Sequence, residues 1–267
     1  MVRIAYIDIA KFIGIILMII GHSGEIFPHA TSMIYSFHMP FFFIVSGFFI
    51  RGSLVKSSIK KYGTRLLMPY LISALFILLV SCGALLLGAH TDKDIFCDWL
   101  VRTSFGSAVA GKGIFSSIGA YAPTWFLLAL FHASVIYSFL LTKYRDIELW
   151  ICTLLLFVLA YHSCRFVTLP ISIQAGVGAV FFLHVGSKIR EYDVINQFSA
   201  LSWKMKGLAF CLWLSTAWFL GCGMGTLNFP YGFASIISAV MGTILLIKMS
   251  NDIKYIECIK TIGGSIL

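Results

Sequence analysis

The stretch FIGIILMIIGHSGEIF, Phe12 to Phe27, combines an apolar run typical of a membrane helix with titratable side chains at its end. Its first ten residues are apolar, and His22 and Glu25 follow before the run is long enough to cross a bilayer. Ten residues of helix rise about 15 Å, whereas the hydrocarbon core of a bilayer is about 30 Å thick. The imidazole of His22 is therefore predicted to lie within the membrane or at its edge.

The composition of the whole chain predicts an all-α integral membrane protein. Of its 267 residues, 59% are hydrophobic and only 12% are charged, whereas about a quarter of a soluble domain is charged. We expect one membrane domain over 1–267, with a ninth span begun by TIGGSIL and the C-terminus incomplete. Eight apolar segments have a spanning length of about 17 to 22 residues: 9–27, 33–50, 67–88, 121–141, 148–164, 171–187, 207–222 and 231–248.

The basic residues predict the orientation of these segments. The net charge is +9, and a cytoplasmic N-terminus places all but Lys93, Arg102, Lys112 and Arg165 on the cytoplasmic side. Membrane proteins concentrate Lys and Arg on that side. The charge therefore predicts a multi-pass protein of the cell (inner) membrane with a lipid bilayer as its partner, and no nucleic acid partner.

Four polar side chains share one face of the first predicted helix. At about 100° per residue, Lys11 and His22 fall within about 20° of each other, and Asp8 and Glu25 lie about 40° to either side. Asp8 and Lys11 are one turn apart and can pair, which lowers the cost of placing charge near lipid. Glu25, one turn beyond His22, could orient its ring, so this face predicts a site within the membrane.

A second histidine lies in IYSFHMPFFFIVSGFF, Ile34 to Phe49. The first two helices are joined by only a few residues, which places His38 at a depth similar to that of His22. Two imidazoles at one depth indicate a shared cavity, although His38 could instead be an interhelical hydrogen-bond partner. Ser46, two turns further along this helix, is predicted to support the site.

The segment RGSLVKSSIKKYGTRLLMPY, Arg51 to Tyr70, holds five basic residues and no acid. Orientation in the membrane and binding to anionic lipid explain part of this charge. Lys61 and Arg65 are spaced i, i+4 and are predicted to point the same way, as suits the phosphates of a nucleotide. In APTWFLLALF, Trp125 is either an aromatic anchor at the membrane interface or a residue that supports the site. No metal is expected, because no His, Asp or Glu pair has ligand spacing within one helix.

Five of these stretches carry a resemblance to a known family. They are RIAYIDIAKFIGIILMIIGH, FHMPFFFIVSGF, KKYGTRLLMPY, PTWFLLALF and the weaker FFLHVGSKIRE. Together they resemble acyltransferase family 3, and more closely its branch similar to fucose 4-O-acetylases. The resemblance implies about ten membrane helices and the transfer of an acetyl group from cytosolic acetyl-CoA to cell-surface carbohydrate.

The resemblance also implies roles for particular residues. The basic-x10-His motif of the family falls on Lys11 and His22, and the arginines before the third helix fall on Lys61 and Arg65, with Lys in place of Arg twice. Lys keeps the charge but loses the planar fork of Arg. The predicted catalytic residues are His22, Glu25 and His38; the donor-binding residues are Lys11, Lys61 and Arg65; the supporting residues are Asp8, Ser46 and Trp125.

The sequence therefore predicts a membrane O-acetyltransferase. Its donor is acetyl-CoA or another acyl-CoA, and its acceptor is a hydroxyl of a polysaccharide or of a lipid-linked glycan precursor. A secondary transporter or exporter of a glycolipid or small solute, with the polar face of helix one as a proton relay, is the alternative. Such carriers usually show inverted repeats, which this sequence lacks. A truncated, inactive remnant is a third hypothesis.

Overall fold

The computed structural model describes residues 4–22, 28–87, 93–121, 124–219 and 221–253. Its regular structure is helical. In chain order the α-helices of these residues are α1 (Ala5–His22), α2 (Pro28–Tyr35), α3 (His38–Gly47), α4 (Val55–Tyr62), α5 (Met68–Leu86), α6 (Lys93–Phe105), α7 (Trp125–Lys143), α8 (Asp146–Ser163), α9 (Ile173–Glu191), α10 (Val194–Ala200), α11 (Trp203–Ala217) and α12 (Phe233–Ile253). Short 3₁₀ turns occur at Gly113–Phe115 and Pro170–Ser172. The stub TIGGSIL and Glu25 lie outside the described residues.

Six helical segments of the described residues are long and apolar enough to cross a membrane. The predicted all-α membrane fold is thereby confirmed. These segments are Ala5–His22, Val55–Leu86, Trp125–Lys143, Asp146–Ser163, Pro170–Glu191 and Phe233–Ile253. They match six of the eight apolar stretches marked in the sequence. The other two, 33–50 and 207–222, coincide with the shorter helices α3 and α11, of 10 and 15 residues.

Pro40 explains why the stretch 33–50 is not one long helix. Proline has no N–H, and its ring clashes with the carbonyl four residues earlier, which here belongs to Ser36. The chain turns at Ser36 and Phe37, between α2 and α3. The Sγ–H of Cys222 donates to the Ser36 carbonyl at 3.0 Å, and the backbone N–H of Cys222 donates to the Tyr35 carbonyl at 3.3 Å. The break is thus stabilised by a distant part of the chain.

The helices form two compact units. The first comprises Met1–Phe49, Val185–Gly223 and Phe229–Leu267. Within it, α1 packs against α3 and α12, and α12 also packs against α11. The ring of Phe37 meets Trp213 edge to face at 5.5 Å, which anchors the turn before α3 to α11.

The second unit comprises Ile50–His184 and Met224–Asn228. A π-helical turn, Gly63–Leu67, joins α4 to α5 and makes one continuous span of them. Three hydroxyl groups fix the start of this span against α7: Ser53 Oγ lies 2.6 Å from Ser58 Oγ and 2.8 Å from Ser138 Oγ. This packing holds the basic segment in a defined place within its unit.

Candidate active site

His22 is the last residue of α1, and its side chain is exposed. The preceding glycine allows α2 to come close, because a Cβ at Gly21 would lie 3.2 Å from Ile34. This approach brings the Tyr35 hydroxyl within 3.4 Å of His22 Nδ1, a long hydrogen bond. The imidazole is therefore oriented by a neighbour while its other face stays accessible.

Tyr35 contacts both histidines predicted for the site. Its ring meets His22 edge to face at 6.1 Å and His38 edge to face at 4.8 Å. Tyr35 was not among the residues predicted for the site. Pro40 could have indicated it, because a proline there interrupts the helix, so that α2 ends at Tyr35 and α3 begins at His38.

The hydrogen bonding of His38 fixes its tautomer. His38 Nδ1 lies 3.1 Å from the Ile34 carbonyl oxygen, and the side chain is 2% exposed. A carbonyl only accepts hydrogen bonds, so Nδ1 carries the hydrogen and donates it. In the neutral ring, Nε2 of His38 then keeps its lone pair and can accept a hydrogen bond.

Lys11 lies eleven residues before His22 on α1, about 16 Å along the helix axis. Its ammonium group is held over the ring of Phe49 at 5.0 Å from the centroid, a cation–π contact. Asp8, one turn earlier, acts on Lys11 electrostatically. Three members of the predicted polar face, Asp8, Lys11 and His22, thus lie on α1, with the cation and the imidazole toward opposite ends. The face as a site stays a prediction.

Ser46 contributes less directly. Its Oγ donates to the Phe42 carbonyl at 2.7 Å, within its own helix. This bond satisfies the hydroxyl in a largely buried place. Its predicted role in support of the site stays a prediction.

One of three comparisons with known proteins found a match. The profile of the acyltransferase domain, Acyl_transf_3, matches residues 4–267. This chain belongs to acyltransferase family 3. A search of curated proteins and a search of solved structures found no match. The family match and the six apolar spans make the chain a multi-pass membrane protein of an acyltransferase family.

The acyltransferase domain match includes the second unit, where the other predicted site residues lie. Lys61 and Arg65 are both exposed, Lys61 at the end of α4 and Arg65 within the π-helical turn. The Lys61 ammonium group lies 4.8 Å from the centroid of the Tyr62 ring. π-helical turns occur frequently at functional sites. The sequence predicted an α-helical i, i+4 spacing of Lys61 and Arg65 and did not predict this turn.

Trp125 begins α7 and is 9% exposed. A belt anchor at the membrane interface would expose its ring to lipid headgroups. The ring of Trp125 instead packs inside the second unit of the acyltransferase. The predicted role of Trp125 in support of the site stays a prediction.

The second unit also holds a buried tyrosine–histidine pair, Tyr137 and His184. Tyr137 hydroxyl and His184 Nδ1 lie 3.1 Å apart, and both side chains are fully buried. The ring of Trp150 meets His184 edge to face at 4.2 Å. The burial of this pair is consistent with a packing role.

The described residues contain no group of three or more His, Cys, Asp or Glu side chains that could hold a metal ion. Among the described residues, the titratable groups near His22 include the Tyr35 phenol and the His38 imidazole. These groups act by moving protons and by donating hydrogen bonds.

Proposed function

We propose that this protein is a membrane O-acetyltransferase that moves an acetyl group from cytosolic acetyl-CoA to a hydroxyl of a cell-surface polysaccharide or its lipid-linked precursor. The proposal includes a cytoplasmic N-terminus in the inner membrane, so that the Lys11 end of α1 meets the donor. Membership of acyltransferase family 3 supports the acyl transfer itself. The choice of acetyl, of CoA and of a glycan comes from the resemblance of the sequence motifs.

The observation that carries the proposal is the environment of His22. When Nδ1–H of His22 donates to the Tyr35 oxygen, Nε2 keeps a lone pair. That nitrogen belongs to an exposed side chain at the end of a span. An imidazole at this place can accept a proton from an approaching substrate and return it.

In the direct route, His22 acts as a general base. The acceptor hydroxyl gives its proton to Nε2 as its oxygen attacks the thioester carbonyl carbon. The carbon–sulfur bond then breaks, the ester remains, and the imidazolium returns the proton to the thiolate of CoA. With its Nδ1–H donated to the Ile34 carbonyl, neutral His38 has Nε2 free to act as a second base. Donation to the oxyanion, the other role considered for it, would require the protonated ring.

In the covalent route, His22 carries the acetyl group. Nε2 attacks the thioester carbonyl, the carbon–sulfur bond breaks, and the thiolate of CoA leaves and takes a proton from water. The acceptor hydroxyl then attacks the acyl-imidazolium, its proton passes to water, and neutral His22 is regenerated with the ester as product. This route lets the acetyl group cross part of the membrane on the protein.

One experiment tests the function and separates the routes. The protein in lipid nanodiscs is incubated with [¹⁴C]acetyl-CoA, with and without a lipid-linked glycan fraction. The proposal expects label in the glycan. Label on the protein when no acceptor is present, lost in His22→Ala, supports the covalent route. The transporter hypothesis would be favoured if the wild-type protein consumed no acetyl-CoA with any of several acceptors and instead carried glycolipid across the membrane of vesicles.

A further inference from the structure

The ring of Phe49 is contacted by two cations from different helices of the first unit. The ammonium of Lys11 on α1 lies 5.0 Å from the ring centroid, and the guanidinium carbon of Arg190 on α9 lies 5.9 Å from it. Both are within the range of a cation–π contact. Asp8, one turn before Lys11, offsets part of the positive charge of the two cations, and a bound anion would offset the remainder.

The backbone of the first unit builds this meeting point. A Cβ at Gly186 would lie 1.8 Å from the Ile44 carbonyl oxygen, so only glycine lets α9 and α3 come this close. Arg190 lies four residues after Gly186, and Phe48 lies four residues after Ile44, which is about one helical turn in each case. There the Nη1 of Arg190 donates to the Phe48 carbonyl oxygen. The close helix packing thus directs Arg190 toward the end of α3.

The acids near Arg190 have other partners. Glu191 pairs with Lys188 at 2.8 Å, and Asp193 accepts two hydrogen bonds from the Asn196 amide, each 3.0 Å long. In the part of the chain that the structure describes, Arg190 forms no ion pair with a carboxylate. Its charge is therefore available to an external anion.

The guanidinium group also keeps donors for a ligand. An arginine has five N–H groups, and one nitrogen of Arg190 serves the Phe48 carbonyl. The residue is exposed, and Lys11 is half-buried. A planar guanidinium fork and an ammonium group that contact the same ring can together bind the oxygens of a molecule that carries several phosphates.

We propose that Lys11 and Arg190 form a phosphate-binding site for the nucleotide part of the acyl donor. The inference rests on the proposed function, and it adds Arg190 to the donor-binding residues predicted from the sequence. Lys11 and His22 share α1, with the cation and the base about 16 Å apart along its axis. CoA likewise carries its phosphates and its thioester at opposite ends of a long arm. A phosphate held by Lys11 and Arg190 leaves that arm free to extend toward His22.

The test measures binding of free CoA by calorimetry to the protein in phosphatidylcholine nanodiscs. Arg190→Gln should weaken CoA binding about tenfold, because a charge-assisted phosphate contact is lost. Lys204→Gln is the matched control, since it removes the same charge from an exposed residue of the same unit whose ammonium group lies over the Trp203 ring, and it should bind CoA as the wild type does. Equal loss in both variants would overturn the site, because general electrostatics would then explain it.

Kinetics distinguishes ligand binding from a structural role of Arg190. Arg190→Gln should raise the KM for acetyl-CoA and leave kcat near the wild-type value, and Arg190→Lys should recover part of the loss. If Arg190 serves only to hold the end of α3, kcat and the yield of folded protein should fall while the CoA affinity of the folded fraction stays unchanged. That result would overturn the proposal.

A second arm separates the donor from lipid phosphate. Nanodiscs with added phosphatidylglycerol should leave the tenfold difference between wild type and Arg190→Gln in place. Loss of phosphatidylglycerol enrichment in Arg190→Gln with unchanged CoA binding would assign the cations to lipid and overturn the site, while the proposed function would stand. Absence of CoA binding by the wild-type protein would overturn both.

Discussion

In the part of the chain that the structure describes, a tyrosine hydroxyl lies within hydrogen-bond distance of a histidine Nδ1 in each compact unit, and the two pairs differ in accessibility. In the first, the Tyr35 hydroxyl lies 3.4 Å from Nδ1 of an exposed His22. In the second, the Tyr137 hydroxyl lies 3.1 Å from Nδ1 of a fully buried His184. The same two groups meet through the same atoms, so chemistry alone does not distinguish a site from a core.

Burial makes the difference. A general base must reach the proton that it removes, and His22 ends a helix where a substrate can approach. His184 is enclosed by aromatic rings, with Trp150 at 4.2 Å, and its shorter hydrogen bond satisfies polar groups that burial has taken from water. The first pair is therefore expected to control rate, and the second to control stability.

Replacement of His22 should give the largest effect on activity. His22→Ala should lower acyl transfer at least about 100-fold, because the general base or covalent carrier is lost. Expression, membrane insertion and thermal stability should stay at the wild-type level, since the side chain is exposed. Transfer is measured with [¹⁴C]acetyl-CoA on equal amounts of folded protein. Retention of more than about a tenth of the wild-type rate would remove His22 from the chemistry.

Replacement of His184 should give the reverse pattern. His184→Ala leaves a cavity and removes the partner of a buried hydroxyl, at a cost of about 3 kcal/mol in the free energy of unfolding. Thermal unfolding in detergent measures the loss. The kcat of the protein that remains folded should change far less than in His22→Ala. If His184→Ala folds as well as the wild type but is inactive, the buried pair belongs to the mechanism and the comparison is wrong.

The two phenols test the same contrast more finely. Tyr35→Phe removes the hydroxyl that orients His22 and should lower kcat about tenfold, with a change in the pH profile of kcat. Tyr137→Phe is the matched variant and should cost about 1 kcal/mol of stability with kcat maintained. Equal kcat values for the two variants would show that Tyr35 does not position the imidazole.

The sequence predicted the helices and the polar face of α1, because both depend on local periodicity. Apolar runs of spanning length indicate membrane helices, and a spacing of eleven residues aligns Lys11 with His22 whatever the rest of the chain does. The helix α6, Lys93–Phe105, was not predicted, because it lies between two of the apolar stretches and carries too many polar residues to be marked as a membrane span. Periodicity is informative where the helix is long.

The contacts that complete the site could not be predicted in this way. Tyr35 reaches both imidazoles because Pro40 breaks the helix and Cys222, far along the chain, stabilises the break. His184 and Tyr137 are 47 residues apart and meet only through the packing of α7 with α9. Such contacts depend on how helices distant in the sequence pack together, and local periodicity does not predict that packing.

The smallest effect on activity is expected from Lys61 and Arg65, the exposed cations of the second unit. Their replacement distinguishes residues that affect the rate of acyl transfer from residues that affect donor binding. Lys61→Gln with Arg65→Gln should raise the KM for acetyl-CoA several-fold and leave kcat unchanged, because phosphate contacts in water are weak. Added salt should produce a similar rise in the wild type and less in the double variant, since exposed charges are screened. Lys56→Gln with Lys60→Gln removes the same charge from the same basic segment and is the matched control. If both double variants raise KM equally, the segment acts through its net charge. If neither changes CoA binding but both reduce correct membrane insertion, Lys61 and Arg65 serve the orientation of the chain, and the phosphates of the donor are bound by other residues.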